Sequence, residues 1–318
     1  MSVPSLKLNS RFGVLILLAS GAMSACGSDP LSDDTATNKT SIDLDWRPLS
    51  ETSDGECPNR RGRSRFSSNG QRRRVEIVVP DSPQGPMPVI FTFHGLLPPS
   101  YDAIGAMVNG FQLQAEANAQ NAIFVVPEAT EEEIPLIGSF LLWDVLDGGE
   151  DDLVLFDDLR TCLADQHEVD LSRVHAWGMS GGGLWTSMLT IHRADALASV
   201  VEFSGGSDLE LPIEGGPFIV SQGIEFAPPA LLVAGGTGDV WPDPILPVID
   251  FAAATDTLQA SLLAADAPVV RCDNDLGHAV ITNEMWTLAM DWMNAHALPN
   301  SGQEASSVGL LDGCRALP

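Results

Sequence analysis

After Lys39 the chain contains no lysine. Chemistry that needs a lysine amine is therefore excluded downstream: a Ser-Lys dyad, a Schiff base, a phosphate loop ending in lysine. The zinc-protease pattern HExxH, the dinucleotide pattern GxGxxG and the EF-hand calcium loop are also missing. No close CxxC or Cys/His spacing offers a structural zinc site. Basic charge is scarce altogether: 16 Lys and Arg stand against 43 Asp and Glu, for a formal charge of −27. Such a surface repels nucleic acid and anionic membrane. No cofactor, metal or nucleic-acid partner is expected, and a monomer is.

Long apolar runs are missing too. The stretch "FGVLILLASGAM" (Phe12–Met23) is too short for a comfortable transmembrane helix. Lys7 and Arg11 precede it and small residues follow, so residues 1–25 read as an export signal. Its removal takes away two bases and no acid. "MSAC" (Met23–Cys26) resembles a bacterial lipobox. That resemblance implies Cys26 as the lipidated first residue of the mature chain, tethered to a membrane. Gly27 and Ser28, standing where an acid would signal otherwise, resemble outer-membrane sorting. Residues 26–56 are rich in Ser, Thr, Asp and Asn and read as a flexible tether. Residues 57–318 form the expected globular domain, ending in an irregular tail.

Four cysteines remain in the exported part: Cys57, Cys162, Cys272 and Cys314. They suggest two disulfides, with three connectivities open. Seven arginines lie between Arg60 and Arg74. An exposed strand and turn that offset nearby acids are expected there, in preference to a docking patch for an anionic partner. The acidic stretches 131–133 and 150–152 read as solvated loops and not as calcium sites.

What is abundant is alternation. Apolar strand-like runs at 74–79, 88–93, 122–126, 174–178, 198–203, 230–235 and 268–272 alternate with helical patterns near 108–119, 151–168, 181–193, 250–265 and 282–296. Several strands are apolar on both faces, as in a parallel sheet covered by helices. The fold class is therefore α/β, a mostly parallel central sheet with helices on both faces and no large cap domain.

Glycines crowd around one serine in "RVHAWGMSGGGLWT" (Arg173–Thr186). Gly178-x-Ser180-x-Gly182 falls where a strand ends and a helix begins. A tight turn with a strained central residue needs small neighbours, and it would lift the Ser180 hydroxyl clear of the sheet. Of the histidines beyond it, His192 and His296 sit in helical patterns and are expected on the surface. His278 lies in a loop between the last strand and the last helix, and Asp239 in "GTGDVWPD" directly follows an apolar strand. The order Ser, Asp, His suits a nucleophile, acid and base gathered at the C-terminal edge of the sheet. In "FTFHGLLPP" the Leu96 N–H is placed to join that of Gly181 as an oxyanion hole. His94 is expected to shape that loop and to take no part in proton transfer. Trp143, Trp185 and Trp241 are candidates to line an acyl or aromatic pocket.

From about Cys57 to His296 the chain resembles the polyhydroxybutyrate depolymerase and feruloyl esterase branch of the α/β-hydrolases. The residues that carry the likeness are "HGL" (94–96), Trp143 before an acidic stretch, "DDLVLFDDL" (151–159), "VDLSRVHAWGMSGGG" (169–183), "GTGD" (236–239) and "GH" (277–278). The resemblance implies an α/β-hydrolase fold with Ser180 as nucleophile, Asp239 as acid and His278 as base. It implies an ester substrate, polymeric or small, and the pairing Cys57–Cys162, which leaves Cys272–Cys314. Ala279-Val280 stand where such proteins often carry Trp and Pro, and Gly181 where many have Asn or Ala. Two other readings compete: a non-catalytic surface lipoprotein on a hydrolase scaffold, and a serine peptidase using the same triad.

Overall fold

The computed structural model describes residues 47–134, 138–146, 148–209, 218–242, 248–299 and 308–317. In chain order the elements are β1 (Gly62–Ser68), β2 (Gln71–Val78), β3 (Met87–Phe93), α1 (Ala103–Gly110), α2 (Leu113–Gln120), β4 (Ile123–Pro127), β5 (Thr130–Ile134) and β6 (Gly138–Leu142). Then come α3 (Glu150–Gln166), β7 (Val169–Met179), α4 (Gly181–His192), β8 (Ser199–Phe203), β9 (Ala230–Ala234), and the short pair β10 (Val240–Trp241) and β11 (Ile249–Asp250). Last are α5 (Phe251–Ala264), β12 (Val269–Asp273), α6 (Asn283–Ala295) and β13 (Cys314–Leu317).

Side chains alternate along a strand, so a strand that is apolar throughout must feed two cores. β4 does so: Ile123 and Val125 face one core, Phe124 and Val126 the other. The first core takes α3, α4 and α5 through residues such as Phe156, Leu189 and Leu258. The second takes α1, α2 and α6 through Ile104, Leu113 and Trp292. Full burial of each such side chain is worth about 1.5–3 kcal/mol. The sheet has nine strands in the order β1-β2-β4-β3-β7-β8-β9-β12-β13. The six from β4 to β12 run parallel; β2 and β13 pair antiparallel with the two ends of this run, and β1 pairs antiparallel with β2 at one edge. The expected fold class is the one found.

Several local expectations differ. The single helix expected near 108–119 is two, because Gln112 turns left-handed (φ 50°) between them. The tail expected to be irregular ends in β13, paired register for register with β12. The tether expected over 26–56 is held to the domain in its last ten residues. The Ser53 N–H and hydroxyl both donate to Asp158 (2.8 and 2.6 Å), and Thr161 donates to the Ser50 carbonyl (2.9 Å). Polar composition there serves specific bonds to α3. The export signal and Cys26 lie outside the described residues. No described helix is long and apolar enough to cross a membrane.

Most of the arginine-rich segment is the β1–β2 hairpin, and acids meet four of the five arginines in it. Arg63 pairs with Glu76 and Asp102, Arg72 with Glu56, Arg74 with Glu128, and the buried Arg73 with the buried Asp152. Of the acidic stretches, Glu131–Glu133 lie exposed on β5, whereas Asp151 and Asp152 belong to the first turn of α3. Asp152 also accepts the Asp144 N–H (2.8 Å). The reading of 150–152 as a solvated loop therefore does not hold. Those acids complement the helix N-terminus and fix the hairpin against it.

Both disulfides are present, Cys57–Cys162 and Cys272–Cys314. They bridge separations of 105 and 42 residues, for which chain entropy gives about 5 and about 4 kcal/mol. The second joins β12 to β13 immediately upstream of the loop that carries His278.

Candidate active site

β7 is the central run that reaches furthest, and its last turn makes the site. Ser180 adopts φ 55° and ψ −124°, a conformation that side chains avoid. Its N–H donates to the Phe203 carbonyl of β8 (2.9 Å), and its carbonyl accepts from Leu184 in α4 (2.9 Å). The turn closes only because its flanks lack side chains. A Cβ on Gly178 would strike the Gly182 carbonyl, and one on Gly182 would strike the Phe93 carbonyl.

Ser180 Oγ lies 2.8 Å from His278 Nε2. His278 Nδ1 lies 2.8 Å from Asp239 Oδ1. The Asp239 carboxylate is fully buried, and its other oxygen accepts the Gly235 N–H (2.8 Å). The two loops that carry acid and base also bond to each other, through Gly277 N–H and the Gly235 carbonyl (3.1 Å). The His278 side chain is 21% exposed. Its ring stacks on Phe251 (centroids 4.3 Å apart), and the next N–H, of Ala279, donates to Ser204 Oγ (2.8 Å). Serine, imidazole and carboxylate thus form one hydrogen-bonded chain at the C-terminal edge of the sheet. Neither Phe251 nor Ser204 is legible as a site residue in the sequence: no motif marks them.

The β3–α1 loop runs beside the serine. A Cβ built on Gly181 would sit 3.2 Å from the Leu96 nitrogen, and one on Gly95 would sit 3.2 Å from Ser180 Cβ. Gly181 opens α4, where a helix leaves its first N–H groups without intrahelical partners. Two backbone donors therefore flank Ser180, beside the positive end of the α4 dipole. His94 is buried, and burial pushes its pKa down. Its Nε2 accepts the Ala129 N–H (3.1 Å) and its Nδ1 lies 2.7 Å from the Gly95 carbonyl, so the ring holds the loop in shape.

The tryptophans divide. Trp143 and Trp185 are each 1% exposed and stack on one another in the core, rings 6.1 Å apart, with Phe93 against both. Contrary to expectation they belong to the core and line no open cleft among the described residues, because Phe93 and each other's rings cover them. The Trp143 indole N–H donates to the His94 carbonyl, so its effect on the site runs through the loop (2.8 Å). Trp241 is half-buried two residues after Asp239. Of the other histidines, His192 is exposed as expected. His296 is not on the surface: it is 1% exposed, with its ring against Trp292 (centroids 4.2 Å apart).

No protein-family model matches the chain, and no curated protein sequence does. Solved structures do. The native structure of the protein called sOPH is 18% identical over 84% of this chain and 97% of that one, with a TM-score of 0.63. The acetyl xylan esterase of Aspergillus awamori is 14% identical over 73% and 99% (TM-score 0.54). A putative dienelactone hydrolase of Klebsiella pneumoniae is 17% identical over 73% and 97% (TM-score 0.52). Together with the nine-stranded sheet and the elbow at Ser180, these likenesses define the class: the chain has the α/β-hydrolase fold.

Proposed function

We propose that this protein is a serine hydrolase that cleaves carboxylic esters through an acyl-enzyme. The observation that carries the reading is the unbroken chain from Ser180 Oγ through His278 to buried Asp239. His278 Nε2 takes the Ser180 proton as Oγ attacks the ester carbonyl. Asp239 fixes the imidazole with its proton on Nδ1 and stabilises the imidazolium. The Leu96 and Gly181 N–H groups receive the oxyanion, each worth about 3 kcal/mol in the transition state. His278 then returns the proton to the leaving alcohol, and water, activated by the same ring, releases the acid.

The substrate class inferred is a polyhydroxyalkanoate-like, feruloyl or simple acyl ester. It rests on the sequence resemblance and on the esterase and hydrolase names among the structural neighbours. A panel of short p-nitrophenyl esters, feruloyl esters and hydroxyalkanoate oligomers tests it. Turnover of at least one series is expected; a folded protein inert on all three would overturn the ester reading.

We also infer export and lipid anchoring at Cys26. Two disulfides suit an oxidising compartment, and "MSAC" follows an apolar run. Intact-mass analysis of the mature protein should show a diacylglyceryl-modified Cys26; an unmodified start beyond it would contradict the anchor.

A further inference from the structure

Glu202 is an acid inside an apolar strand, fully buried in β8. Its Oε1 has no hydrogen-bond partner among the described residues. Its Oε2 lies 2.9 Å from Ser187 Oγ of α4. The same hydroxyl lies 3.2 Å from the Gly183 carbonyl, and it accepts the Gly206 N–H at 3.2 Å. Ser187 therefore faces two oxygen acceptors with one proton. If Glu202 were a carboxylate, one of those two pairs would have no hydrogen between its oxygens, and a buried charge would keep an oxygen with no partner. If Glu202 carries a proton, both Ser187 contacts have a hydrogen between their oxygens, and the unpartnered Oε1 is a neutral carbonyl instead of part of a buried charge. The Glu202 hydroxyl donates to Ser187, and Ser187 donates to Gly183.

The network joins the two halves of the site. Gly183 lies in the first turn of α4, beside the Gly181 N–H. Gly206 belongs to the loop that follows β8, where Ser204 holds the Ala279 N–H next to His278 and Thr255 of α5 donates to the Gly205 carbonyl (3.1 Å). We propose that Glu202 is a positioning residue: as a neutral carboxylic acid it ties the oxyanion turn of α4 to the loop that seats His278, and its ionisation loosens that tie. The proposal rests on the hydrolase reading for its effect on turnover, but the protonation state does not.

Burial pushes the Glu202 pKa up to about 8, and the Ser187 hydroxyl and the nearby Gly206 N–H only partly oppose it. The titratable groups on the elements packed around it are His175 on β7, His192 at the far end of α4, Asp208 in the loop after β8, Asp239 after β9, Asp250 capping α5, Asp256 on α5, and His278 across Ser204. None of them is among the causes of its shift. A folded pKa above the ordinary 4.5 means that its contribution to stability is full below that value and is lost as pH rises to about 8.

Glu202→Gln is the test, because its amide can donate to Ser187 without titrating. In the wild type, kcat/KM should fall by half near pH 8 and further above it. In Glu202→Gln that limb should disappear while neutral-pH activity stays, whereas Glu202→Ala should lose activity at neutral pH. The wild-type Tm should drop relative to Glu202→Gln between pH 4.5 and about 8. Infrared spectra of the wild type need neither a variant nor turnover. The carbonyl band of a protonated carboxylic acid should be present at pH 7 and vanish above about pH 8. Absence of that band at pH 7, or an unchanged alkaline limb in folded Glu202→Gln, overturns the proposal. If the band behaves as expected and no ester is turned over, the hydrolase reading fails and the neutral acid stands.

Discussion

Ser180→Ala is expected to lower kcat for ester hydrolysis by about 10⁶-fold, leaving only what the oxyanion donors and binding supply. The fold should survive. Removing the hydroxyl breaks its 2.8 Å hydrogen bond with His278, whereas the backbone bonds to Phe203 and Leu184 do not depend on it. Serine already bears the strained φ of 55°, so alanine meets no new penalty. Melting curves that overlay with the wild type, together with the loss of turnover, would separate chemistry from folding. A variant that keeps more than a small fraction of its activity contradicts the assignment.

Asp239→Asn is expected to cost about 10⁴-fold in kcat while leaving the geometry in place. The physical reason lies in the two bonds of the buried carboxylate. One oxygen accepts the Gly235 N–H, which a side-chain amide can accept only through its own oxygen. The amide NH₂ is then turned towards His278 Nδ1. The imidazole answers by placing its proton on Nε2, and a protonated Nε2 cannot take the proton of Ser180. KM should change little, because Asp239 is buried and touches no substrate. Steady-state kinetics of the variant at neutral pH check this split: a large kcat loss is expected, and a pure KM effect would mean that Asp239 does not set the tautomer.

The parallel strands are legible in the sequence because burial on both faces leaves unbroken apolar runs such as Ile123–Val126. Strands outside that parallel run are less so. β1 carries alternating arginines and polar residues, and β5 is three glutamates between Thr130 and Ile134, so neither shows a strand signal that composition can separate from a loop. The break between α1 and α2 falls on Gln112, a residue without the punctuation of Gly or Pro. For the site, order along the chain is enough to single out Ser180, Asp239 and His278, because each sits just beyond a recognisable strand. The tryptophans escape such reasoning, since sequence does not say on which side of a sheet edge a large ring falls. Trp143 and Trp185 go to the core and not to a cleft. Glu202 does leave a signal, one acid within "SVVEF", but a lone acid in an apolar run has no motif to announce a role.

The most direct measurement of the central claim is labelling by a fluorophosphonate, followed by peptide mass spectrometry. The geometry predicts a single adduct on the peptide containing Ser180, abolished in His278→Ala, where nothing takes the proton from Oγ. An adduct on another residue, or no adduct on folded wild-type protein, would contradict it.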